Sequence, residues 1–149
     1  MKFSEISQSD WPDLKPYLDT CLLPVTGLSG TEEPWQATAA LERLRDLLDA
    51  IEIPFKGRVV TYPALHYIVG DSWVRDLSLV CRNLKECGFA FVIAIVAGEA
   101  VKLSGEGVLL IADCDLLLEE ADADQAGLDS WKQQVNEQVK EMWSSVYVN

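Results

Sequence analysis

The stretch FAFVIAIVA, residues 89–97, carries nine apolar residues without a break. A membrane-spanning helix needs about 20, so this run reads instead as a buried strand. CLLPV at 21–25, RVVTY at 58–62 and GVLLIAD at 107–113 read in the same way. Helical patterns separate the first three runs, and another follows the fourth. That order predicts a sheet with helices packed on its faces.

The helical segments carry their own punctuation. Ser9 opens a short piece with Pro12 in its first turn and Trp11, Leu14 and Leu18 on one face. Thr31 is the expected N-cap of a longer helix, with Glu32 and Glu33 in its first turn and Ala37, Leu41, Leu44, Leu48 and Ile51 facing inward. Gly70-Asp71-Ser72 caps a third helix, whose inner face runs through Val74, Leu77, Val80 or Cys81, Leu84 and Cys87 to Gly88 at the C′ position. Beyond an acidic loop at 113–127, Leu128, Trp131, Val135, Val139, Met142 and Val146 mark a final helix.

Right-handed crossovers through the first two long helices make strands one to three parallel. The connection 98–106 is too short for a helical crossover, so an antiparallel hairpin is expected there, with 101–103 as a minor strand. The expectation is a single-domain three-layer α/β sandwich over residues 1–149. Its sheet would be mostly parallel, with four or five strands and the hairpin near the C-terminal half.

The chain has 24 acidic and 12 basic residues, a net charge of −12 and a pI near 4.3. Phosphate neutralisation by Lys and Arg drives nucleic-acid binding, so no nucleic-acid partner is expected, and anionic membrane is equally disfavoured. From Leu103 to Trp131 there are eight acids and no Lys or Arg. The four cysteines, at 21, 81, 87 and 114, form no CxxC pair. They read as small buried hydrophobes of a reducing compartment. With an N-terminus lacking a signal-peptide core, they suggest a cytoplasmic protein without membrane insertion.

No cofactor or metal signature is present. In parallel sheets ligands sit at the carboxyl ends of strands, which directs attention to 26–31 and 62–67. Ser29, Thr31, Tyr62, His66 and Tyr67 are the candidate ligand-binding residues there. His66 is the only histidine, and its ordinary role is that of a partly buried ring bonded to a backbone carbonyl. The loop 26–31 precedes a helix but lacks the P-loop lysine, and Glu32 and Glu33 would repel a phosphate. Asp113, Asp115, Glu119 and Glu120 fail the EF-hand spacing and read as a solvated acidic loop. If strand four is antiparallel, Asp113 emerges at the edge opposite His66; an inserted strand at 101–103 would reverse that. Trp143 falls one position off the main stripe of the last helix. It either packs in the core or marks the margin of a dimer or partner surface.

Two segments, YLDTCLLP at 17–24 and GRVVTYPALHY at 57–67, resemble the YpiF-like family of small uncharacterised proteins from Bacillus-type bacteria. That resemblance implies a single cytosolic domain with no established activity and no catalytic residues to transfer. It singles out Asp19, Thr20, Arg58, Pro63 and Tyr67. Arg58 is positioned to pair with Asp19 where neighbouring parallel strands begin, and Pro63 to end strand two. The functional expectation is a non-enzymatic protein-interaction or accessory module, with the acidic loop selecting a basic partner. The alternatives are a small-molecule-binding protein or small enzyme around His66, and a ligand-free homodimer.

Overall fold

The computed structural model describes residues 1–68, 72–97, 111, 113–119 and 125–145. Four strands form one sheet: β1 (Thr20–Val25), β2 (Val59–Thr61), β3 (Phe91–Val96) and β4 (Leu116–Glu119). Their order is β2-β1-β3-β4, and every pairing is parallel. The four helices of the described residues are α1 (Trp11–Leu14), α2 (Pro34–Glu52), α3 (Trp73–Cys87) and α4 (Gln125–Ser144).

Alternation along β3 feeds two cores. Val92, Ala94 and Val96 pack with Leu77, Cys81 and Leu84 of α3. Phe91, Ile93 and Ile95 pack with Leu44, Leu47 and Ile51 of α2 and Val135 and Val139 of α4. The result is three layers. The chain steps outward from β1 to β2, then crosses back past β1 to β3. Crossovers of one hand then require opposite faces for α2 and α3, as the two cores display.

The antiparallel hairpin is corrected by the pairing of β4, which runs parallel to β3 with Ile93 opposite Leu116. Residues 101–103 and most of the stretch 107–113 lie outside the described residues. The strand beside β3 comes from within the stretch read as an acidic loop. Its pattern hides it, because only Leu118 is buried and acids flank its three leucines. Among the described residues it is the last strand of the order, paired with β3 alone, and a single inward side chain suffices. Asp115 anchors its start: the Asp115 N–H donates to the Val92 carbonyl at 2.9 Å, and its carboxylate accepts the Val92 N–H at 2.8 Å.

α2 departs from expectation at its start. The helix opens at Pro34 with Glu33 as its N-cap, not at Glu32 after Thr31. The Gln36 side chain accepts the Glu33 N–H at 2.9 Å, half of a capping box. Its buried residues are Leu44, Leu47, Ala50 and Ile51, whereas Leu41 is 42% exposed. Length supplies the reason. Nineteen helical residues span roughly 28 Å, against about 20 Å for a six-residue strand. The first turns therefore project past the described part of the sheet where β1 ends, which leaves Leu41 partly exposed. α3 follows its predicted bounds and ends on Gly88 at φ +126°, although Cys87 is exposed rather than inward-facing.

Candidate functional site

The end of the sheet where the strands begin is closed by a side-chain network. Asp19 precedes β1 and Arg58 precedes β2, so parallel pairing brings them side by side. Arg58 grips the carboxylate with two bonds, Nε to Oδ1 at 2.9 Å and Nη2 to Oδ2 at 3.2 Å. The Thr20 hydroxyl donates to Asp19 at 2.9 Å and accepts the indole N–H of Trp143 at 2.9 Å. The Arg58 guanidinium sits 4.1 Å from the Trp143 ring centroid, a cation–π contact. Phe55 meets the same indole edge-on at 5.0 Å. Trp143 is thus buried in the core and does not form an exposed margin. Three motif positions, Asp19, Thr20 and Arg58, are consumed in joining the last turn of α4 to the sheet.

The opposite end is more open. Beyond β2 the exposed Pro63 interrupts the ladder, and pairing with β1 resumes at Leu65, whose N–H donates to the Pro24 carbonyl at 2.9 Å. This return carries His66 over the end of β1. His66 is exposed, not partly buried, and its partner is a hydroxyl rather than a carbonyl. Nδ1 lies 3.1 Å from Thr26 Oγ1, while the Thr26 hydroxyl donates to the Leu65 carbonyl at 3.2 Å. Tyr67 follows at φ +60°, a left-handed conformation rare for an aromatic residue, with 62% of its surface exposed.

None of the cavities lined by described residues brings Ser29, Thr31, Tyr62, His66 and Tyr67 together. Ser29 and Thr31 bond to each other at 2.7 Å. The Glu32 carboxylate accepts the N–H groups of Ser29 and Gly30 at 2.8 and 3.0 Å. These are the amides an incoming anion would need, and Glu32 already occupies them. The Ser29 N–H holds the Glu32 carboxyl below its ordinary range. Tyr62 turns into the α3 core and meets Phe89 edge-on at 5.2 Å; burial pushes its phenol pKa up. It lines a cavity of about 240 Å³ with Phe3, Ile6 and Trp11 that excludes His66, Tyr67, Ser29 and Thr31.

Asp113 and Asp115 lie at the end opposite His66, by a route other than the expected one: they precede a parallel strand. Both pair with α3, Asp113 with Arg82 at 3.5 Å and Asp115 with Lys85 at 3.0 Å. Among the described residues no three His, Cys, Asp or Glu side chains group closely enough to hold a metal. No helix among them is long and apolar enough to cross a membrane.

One surface feature escaped the sequence reading. Trp35, in the first turn of α2, is 70% exposed. Its signal was its position: it lies nine residues ahead of Leu44, the first buried residue of that helix. With His66 and Tyr67 it gives the end of the sheet where β1 and β2 finish an exposed aromatic character. The molecule is therefore an α/β protein with a parallel sheet, a side-chain network at the strand starts, where Tyr17 is nonetheless 72% exposed, and exposed Trp35, His66 and Tyr67 on the strand-finish side. The chain belongs to the DUF2487 family, proteins of unknown function, whose family model matches residues 9–143. No curated protein and no solved structure matches this chain.

Proposed function

We propose that this protein is a non-enzymatic interaction or accessory module that binds a protein partner through the end of the sheet where the strands finish. The observation that carries the reading is the pair of exposed aromatics there, Trp35 at 70% and Tyr67 at 62%. Rigid aromatic side chains supply large contact area at low entropic cost, and they dominate binding hot spots. Tyr67 also holds a strained backbone conformation, a feature that clusters at functional positions. Electrostatic selection of a basic partner cannot draw on Asp113 and Asp115, since Arg82 and Lys85 already pair with them.

The test is co-purification of partners on the tagged chain, comparing wild type with Trp35→Ala/Tyr67→Ala and with Leu79→Ala on the outer surface of α3. A partner retained by wild type and Leu79→Ala, and reduced at least tenfold by the edge double variant, supports the module. Equal recovery on all three chains sinks it. One observation favours a second reading, a small-molecule site around His66. The strand order reverses between β1 and β3, and open parallel sheets bind ligands at that switch point. A ligand at 100 times its dissociation constant stabilises the fold by about 2.7 kcal/mol. A thermal shift that vanishes in His66→Ala would support this reading.

A further inference from the structure

The cavity that Tyr62 lines, beside β2, has a chemistry of its own. Its volume is about 240 Å³, and all seven lining residues are uncharged in a chain where 24% of residues carry charge. Val60 and Tyr62 form the wall on the sheet, and residues 3–8 with Trp11 of α1 form the other. The start of the chain runs parallel to β2: Lys2 bridges Thr61, and the Thr61 N–H donates to the Met1 carbonyl at 2.8 Å. Past this bridge Phe3–Glu5 make a short 3-10 turn with no buried residue, and Phe3 is 47% exposed.

Two of the aromatic walls are braced from behind. The buried Phe89 ring meets Trp11 at 6.2 Å and Tyr62 edge-on at 5.2 Å. Neither ring can swing in to fill the space without giving up that contact. The recess is therefore preformed. Its polar members are Ser7, Gln8 and Tyr62. The Ser7 hydroxyl is committed, donating to Asp10 at 2.7 Å. Among the described residues, neither the Gln8 side chain nor the Tyr62 hydroxyl has a hydrogen-bond partner.

We propose that this recess binds a small neutral aromatic molecule, of one or two fused rings, carrying a single hydrogen-bonding group. Size sets the upper bound. An apolar cavity of ~150 Å³ accepts benzene, whereas drug-sized ligands occupy ~300 Å³ or more. Charge sets the class, because a carboxylate or ammonium would enter without a partner and lose its hydration. Aromatic character follows from Phe3, Trp11 and Tyr62, whose rings favour edge-to-face contacts with another ring. Gln8 and Tyr62 can each donate to, or accept from, the one polar group. His66 and Tyr67 do not line this recess, so it is separate from a site around His66.

Indole is the probe, titrated into the full chain while the Ile6 and Val60 methyl groups are observed by NMR. Saturable shifts at both residues are expected, with a dissociation constant of about 1 mM or tighter. Benzoate should bind at least ~10-fold more weakly, because its charge enters unpaired. Ile6→Trp fills the recess and should abolish binding. Phe3→Ala changes a half-exposed position that the fold tolerates, and should weaken binding severalfold by removing one ring. His66→Ala should bind indole as the wild type does; loss of binding there would assign the shifts to the other site and overturn the proposal. So would the absence of saturable shifts up to ~10 mM indole, benzoate bound as tightly as indole, or unchanged affinity in both Ile6→Trp and Phe3→Ala.

Discussion

Where the strands begin, Asp19, Thr20, Arg58 and Trp143 satisfy one another; where they finish, Trp35, His66 and Tyr67 meet solvent. Both ends belong to the same parallel sheet, so secondary structure does not separate them. The difference lies in what covers each. α4 lays its last turn across the strand starts and supplies an indole that fills the space and donates to Thr20. At the other end α2 begins beyond the described end of β1, and its Trp35 is 70% exposed. Residues of a shared motif therefore divide by role: Asp19, Thr20 and Arg58 hold the fold, while Tyr67 is left available.

The sharpest way to break that comparison is Trp143→Ala. The ring is 8% exposed and contacts Phe55, Arg58 and Thr20. Its removal leaves a cavity and should cost about 3–5 kcal/mol in urea unfolding. A loss under 1 kcal/mol would show that the strand-start end is not locked by this side chain. Next in size is the coupling between Arg58 and Asp19. Their side chains are 34% and 32% exposed, so solvent weakens the attraction. A double-mutant cycle with Arg58→Ala and Asp19→Ala should return about 1 kcal/mol. Arg58→Lys should recover little of it, because an ammonium cannot make the two-bonded grip or stack on the indole.

Much of the strand-start end was legible. The resemblance singles out Asp19 and Arg58, their places at the starts of two parallel strands suggest an ion pair if those strands are neighbours, and the pair is present. The burial of Trp143 was not legible, because helical periodicity put it off the stripe and could not reveal Thr20 as an acceptor for its N–H. β1 and β3 were readable because both faces are buried and the apolar run is continuous. β4 was not, because a strand with one buried residue in four has no run to read. Leu41 failed for a third reason: period alone cannot show where a sheet stops beneath a helix.

Smaller effects are expected at the strand-finish end. Trp35→Ala should change unfolding stability by no more than about 0.5 kcal/mol, the ordinary range for an exposed side chain. Tyr67→Gly is more informative, because φ +60° costs an L-residue about 1–2 kcal/mol. Glycine removes that penalty while adding roughly 0.5–1 kcal/mol of backbone entropy. The net should be a stabilisation of up to about 1 kcal/mol, in contrast to any change at Trp143. A stabilised Tyr67→Gly that loses a partner would identify strain kept for function. A destabilised one would mean that the exposed ring holds the chain in place, and the two ends would then be more alike than they look.

The smallest effect concerns pH and the loop between β1 and α2. The Glu32 carboxyl lies below its ordinary value of 4.5 because it accepts N–H bonds from Ser29 and Gly30. A depressed folded value means the contribution is complete above pH 4.5 and fades as pH falls through that lower value. The group is open to solvent, so global stability should scarcely register the change. Amide exchange at Ser29 and Gly30 should register it, corrected for the intrinsic acid dependence. Both amides should lose protection below pH 4.5, and Glu32→Gln should reduce that protection even at pH 7. Protection that persists in acid and in Glu32→Gln would mean the loop is set by backbone geometry alone, with its amides held by something other than this carboxylate.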